Sequence, residues 1–162
     1  MNRILLLLTL FAVVGFSGIA QEVAAPADGE AQVPVSPVDA ALAALDAGQV
    51  NEAELKWVEI KNPLAKILVQ AGIARARGNL KSALEMLAGG IVLYPHDSAW
   101  IAKSELMMVV LYMESGMLDA ADVTARQVQV LHEGTDAAKK ATALRSDIER
   151  LKKETELEGS TK

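Results

Sequence analysis

Gly48, Gly78 and Gly116 each stand where one amphipathic run stops and another begins: Leu42 to Ala47 precedes the first, Ile67 to Arg77 the second, and Ile101 to Ser115 the third. Glycine adopts the left-handed backbone that closes a helix at no steric cost, so each reads as a helix terminator. The intervals between them are 30 and 38 residues, an average of 34. Regular punctuation of this kind marks an internal repeat, and it confines the chain to architectures built from stacked copies of one small unit.

Aligning the chain on these glycines brings further positions into phase. Ala53, Ala83 and Ala121 each fall five residues downstream. A small residue there lets two helices approach closely. Trp57, Leu87 and Ala125 follow, and then Ile60, Gly90 and Val128, at spacings of four and three that form one face of a helix. Ile67 and Ala74, and in the next copy Met108 and Tyr112, mark the face of the first helix that packs on the second. From Val38 onward the composition is rich in Ala, Leu, Glu, Lys, Met and Gln, proline occurs only at Pro63 and Pro95, and no Asn-Gly or Asp-Gly turn separates alternating apolar runs. An all-α domain is expected.

The unit of helix, glycine turn, small alanine, large apolar residue and closing proline resembles the tetratricopeptide repeat. Residues 65–95 carry the resemblance best and residues 102–133 next, while 38–62 is a truncated first copy whose leading helix is expected to start after Pro37. Two positions depart from the pattern: Glu105 stands where a bulky apolar residue opens the first helix, and Glu133 replaces the closing proline. An unrelated helical bundle is the alternative. The resemblance implies a short right-handed α-solenoid of about three hairpins plus a C-terminal helix, with a concave surface lined by the first helix of each pair. Carried over residue by residue, it implies a groove formed by Ala65, Leu68, Val69, Gly72 and Arg75 in the second copy. Lys103, Leu106, Met107, Val110 and Met113 would line it in the third. Such an apolar, methionine-rich surface suits a peptide or helix of another protein.

After Gly134, Thr135 or Asp136 is placed to cap a last helix, in which Ala137, Ala141, Leu144, Ile148 and Leu151 form an apolar stripe. That stripe suits a cap over the last repeat. The alternatives are pairing with a second copy as a homo-oligomer, or closing the groove from within the chain. The helical domain is expected over 38–153, with a flexible tail at 154–162.

The N-terminus has a different character. Asn2 and Arg3 precede an apolar run from Ile4 to Phe16, and Gly18 and Ala20 supply small residues for a cut after Ala20. This is the layout of a signal peptide over 1–20; an uncleaved anchor is the alternative, and would be the one route to a membrane. Residues 21–37, with Pro26, Pro34 and Pro37, read as a linker. Cysteine is absent, which excludes disulfides and a lipidated cysteine and favours a bacterial periplasm over other secreted settings. The net charge is −5, with no basic stripe to follow a phosphate backbone, so nucleic acid is not an expected partner.

Nothing in the sequence assembles a reaction. His96, Asp97 and Ser98 have the side-chain types of a hydrolytic triad, but consecutive side chains splay apart, and Asp97 or Ser98 reads as a helix cap. His132 stands alone. Gly89-Gly90 lacks the Gly-Lys-Ser/Thr that completes a phosphate loop. Trp57 and Trp100 are too isolated for a stacking platform, and Met86 and Met108 fall on core positions. No metal, cofactor or catalytic residue is expected; the chain reads as a binding scaffold and not an enzyme.

Overall fold

The computed structural model describes residues 36–159; the leader expected at 1–20 and nearly all of the linker lie outside them. Among the described residues the protein is entirely helical: α1 (Pro37–Asp46), α2 (Val50–Glu59), α3 (Pro63–Ala76), α4 (Leu80–Leu93), α5 (Ser98–Glu114), α6 (Leu118–Leu131) and α7 (Asp136–Gly159).

Local chemistry sets the boundaries. The Ser36 side chain accepts from the Asp39 amide, and Asn62 Oδ1 accepts from the Ala65 amide at 2.8 Å. In both helices proline occupies the first turn, where its missing N–H removes a donor that would have no helical partner anyway. This corrects the sequence reading of Pro37 as the last linker residue: it opens α1. Thr135 Oγ1 accepts from the Ala138 amide and caps α7. At the other ends, Gly48, Gly78 and Gly116 have φ of 74°, 79° and 72°. The next residue's amide then reaches back into the preceding helix: Gln49 to Ala44 O at 2.8 Å, Asn79 to Ala74 O at 2.9 Å, Met117 to Tyr112 O at 2.8 Å. The three turns are one Schellman closure used three times, and each feeds the next helix directly.

These tight turns fold each helix back on its predecessor. α1 packs on α2, α3 on α4, and α5 on α6; α1 also meets α3, α3 meets α5, and α5 meets α7. By contrast, α2, α4 and α6 do not approach one another. The core follows the same order in three clusters. Val38, Ala41, Ala53, Ala65 and Val69 join α1, α2 and α3; Leu68, Ala71, Ala83, Leu87 and Leu111 join α3, α4 and α5; Val109, Ala121, Val128, Ala141 and Ile148 join α5, α6 and α7. Because α3 and α5 each serve two clusters, their apolar residues are spread around the helix instead of along one stripe.

Close approach depends on small side chains. Ala53, Ala83 and Ala121 are completely buried. A Cβ at Gly90 would lie 3.0 Å from Leu64 Cδ1 and 3.1 Å from Ile67 Cγ2, so the glycine sets how near α4 comes to α3. Met86 and Met108 pack against the central cluster. Trp57 bridges two helices, donating from Nε1 to Lys66 O at 3.0 Å while the Lys66 ammonium sits over its ring.

The apolar stripe of α7 is turned into the third cluster, against α5 and α6. Its helix continues past Lys153, where the sequence suggested a flexible tail, to Gly159. Charge pairs one turn apart extend it: Arg150 contacts Asp147 at 3.1 Å and Glu154 at 3.6 Å.

α7 is also fastened to α6 through Asp122, a buried carboxylate that accepts from Arg145 Nε at 3.0 Å and from Arg126 at 2.7 Å. Burial pushes this carboxyl's pKa up, but the hydrogen bonds from Arg145 and Arg126 and their charges outweigh it and hold the pKa below the usual value. A depressed pKa stabilises the fold above the unfolded value of about 3.9. The contribution is lost as pH falls through the folded pKa. Thermal unfolding is therefore expected to show a smaller difference between wild type and Asp122→Asn at about pH 3 than at about pH 6. An equal difference at both would contradict this role.

Candidate functional site

α1, α3, α5 and α7 enclose an open cleft with a cavity volume of about 440 Å³. Six of the residues expected to form a groove line it: Leu68, Arg75, Lys103, Leu106, Met107 and Val110. α1 adds Asp39, Leu42 and Asp46, and α7 adds Lys140. An adjoining cavity of about 410 Å³ shares Leu42, Asp46, Arg75 and Met107, and continues past Gly72 to Leu45 and Glu114.

The expected residues are not equally accessible. Leu68 is buried in the central cluster, and Ala65 and Val69 are buried in the first, so α3 contributes mainly a floor. At Gly72 a Cβ would lie 2.7 Å from Leu45 Cδ1, which lets α1 close over α3. Leu106, Met107 and Val110 are half-buried and form the apolar wall from α5. Met113 lines neither cavity; like Leu106 it packs against the α5, α6 and α7 cluster.

Both cations assigned to the groove are engaged by acids across it. Arg75 Nε donates to Glu114 at 3.0 Å, and this hydrogen bond, foremost, raises its pKa so that it stays charged. Lys103 Nζ lies 3.4 Å from Asp39 Oδ1 and 4.5 Å from the centre of the Trp100 ring. The hydrogen bond from Ser36, foremost, holds the Asp39 carboxyl below its usual range against the upward push of burial, and the charges of Lys103 and Lys140 add to this. Asp46 and Lys140 are exposed and form no ion pair among the described residues.

Sequence reasoning assigned the groove to the first helices of two pairs, left α1 out, and considered α7 only as a cap, a dimer element or a cover closing the groove. The signal in α1 was present, since Asp39, Leu42 and Asp46 fall at three and four and so share a face. A second polar group was not legible at all. Glu105, buried on α5, accepts from Gln127 Nε2 at 2.8 Å, and its Oε2 lies 2.8 Å from His132 Nε2. This cluster explains how an acid is accommodated where the repeat pattern has a bulky apolar residue: two side chains from α6 and its end satisfy the carboxylate. It faces away from the cleft residues named above. His96 is exposed in the loop before α5, and Asp97 stands at the N-cap position of that helix as expected, although its side chain accepts from Asn62 Nδ2 and makes no capping hydrogen bond.

Among the described residues no group of three or more His, Cys, Asp or Glu side chains is placed to hold a metal ion, and no helix is long and apolar enough to cross a membrane. What the fold and cleft define is an all-helical protein of paired helices with an apolar, charge-rimmed cleft. Compared with protein-family models, curated proteins and solved structures, the chain matches none of them.

Proposed function

We propose that the protein is an exported, non-enzymatic scaffold. Its helix pairs stack as a short right-handed solenoid of tetratricopeptide type, and a peptide or helix of another protein is held in the concave cleft between α1, α3, α5 and α7. The observation that carries the reading is that cleft: it takes one helix from each pair plus α7, has an apolar wall of Leu106, Met107 and Val110, and is open. Successive contact among α1, α3, α5 and α7, with none among α2, α4 and α6, supports the stacking. Export rests on the leader expected at 1–20, and the absence of cysteine favours a bacterial periplasm over other exported settings.

A self-assembling module is the second reading. Val92, Leu93, Val130 and Leu131 favour it: these apolar side chains on α4 and α6 are 77%, 70%, 75% and 64% exposed. A photo-crosslinking amino acid placed at Met107 or at Val92 in the full chain distinguishes the two in the cell of origin. Adducts to a different protein from Met107 and none from Val92 are expected. Adducts only between copies of this chain, arising from Val92, would support self-assembly instead, and no adduct from Met107 would contradict the cleft as the binding surface.

A further inference from the structure

The cleft has a direction. Tight turns make consecutive helices antiparallel, so α1, α3, α5 and α7 run the same way. The side chains agree: Asp39, Lys103 and Lys140 meet near the N-terminal ends of their helices, whereas Asp46, Arg75 and Glu114 meet near the C-terminal ends. Within each group one ion pair is internal, Lys103 with Asp39 and Arg75 with Glu114. Counting Lys140 at the first end and Asp46 at the other, the first group carries a net positive charge and the second a net negative one. At the anionic end the C-termini of α1, α3 and α5 lie beside Asp46, Arg75 and Glu114, and their dipoles add partial negative charge there. The apolar wall lies between.

Resting on the groove reading above, we infer that the occupant is an amphipathic helix lying antiparallel to α1, α3, α5 and α7, with a basic residue toward its N-terminal end and an acidic residue toward its C-terminal end. The cleft is walled by helices whose backbone groups are already paired, so an extended peptide would find no ladder for its own amides, while a helix satisfies them internally. Asp39 and Asp46 are seven residues apart on α1, about 10 Å at 1.5 Å per residue. A helix that pairs with Asp46 at one end and Lys140 at the other therefore carries Lys or Arg at i, apolar residues at i+3 and i+4 against Leu106, Met107 and Val110, and Asp or Glu near i+7. Its own dipole, positive at the N-terminus, then faces the anionic end of the cleft.

Two hydrocarbon-stapled peptides of identical composition test this, one with Lys at i and Glu at i+7 and the other with the two exchanged; stapling equalises their helicity, which charge order alone would alter. Binding to the full chain is read by fluorescence anisotropy at low and physiological salt. The first peptide is expected to bind about 10-fold more tightly, with the difference shrinking in salt. An Asp46→Lys/Lys140→Glu variant is expected to reverse the order. Equal binding of both peptides, lost in Val110→Glu, would overturn the directional inference while leaving the groove in place. Failure of both peptides to bind would overturn the inference together with the groove reading for helical occupants.

Discussion

Replacing Leu111 with alanine is expected to remove about 2–5 kcal/mol of stability, read as a fall in the urea midpoint followed by far-UV circular dichroism. Leu111 is fully buried in the central cluster, where it joins α5 to Leu68 and Ala71 of α3 and to Ala83 and Leu87 of α4. Leu68, Leu87 and the methionines Met86 and Met108 surround it, so how far they close in on the vacated space sets where in this range the loss of burial plus the cavity falls. The site also sits at the middle of the three clusters. Because α1 and α2 pack on the rest only through α3, and α6 and α7 only through α5, weakening the cluster that joins α3 to α5 separates the first cluster from the third. The expected loss is a large share of the roughly 5–15 kcal/mol that holds a domain together. Val92→Ala, on an exposed position, is expected to stay within about 0.5 kcal/mol of wild type. A Leu111→Ala change as small as that would contradict the packing described.

The parts of the fold that were legible in the sequence are those set by local constraints. Gly48, Gly78 and Gly116 were readable because only a positive φ reconciles the two helices on either side, and Ala53, Ala83 and Ala121 because helix contact demands a small side chain at one fixed offset. The stripe from Ala137 to Leu151 was readable from its spacing. Prolines misled at Pro37, since the same residue that breaks a helix interior is well suited to its first turn. The end of α7 was missed because its continuation rests on charge pairs such as Arg150 with Glu154 and not on any apolar periodicity.

The cleft was harder to read. Positions in α3 were recognised as facing one way, yet Leu68 is buried in the central cluster and Gly72 is covered by Leu45 of α1, contacts made with other helices along the chain. Lys140 enters the site only because α7 packs beside α5, which no local pattern encodes. Glu105, Gln127 and His132 come together across two helices at separations of 22 and 27 residues. Their residue types carry no signature of that meeting.

The most direct measurement of the groove reading is partner binding by Val110→Glu. Val110 lines the cleft, is half-exposed, and belongs to none of the three core clusters, so a carboxylate there can remain hydrated in the free protein. Leu106 is the less suitable probe, because it also packs against the α5, α6 and α7 cluster. Once an apolar occupant covers the cleft, that carboxylate is buried without a partner, a cost of several kcal/mol and hence at least about 100-fold in affinity. With the partner crosslinked through Met107 in hand, the expected result is loss of its binding to Val110→Glu while the circular dichroism spectrum and unfolding midpoint stay at wild-type values. Undiminished binding by a folded Val110→Glu protein would contradict the cleft as the binding surface.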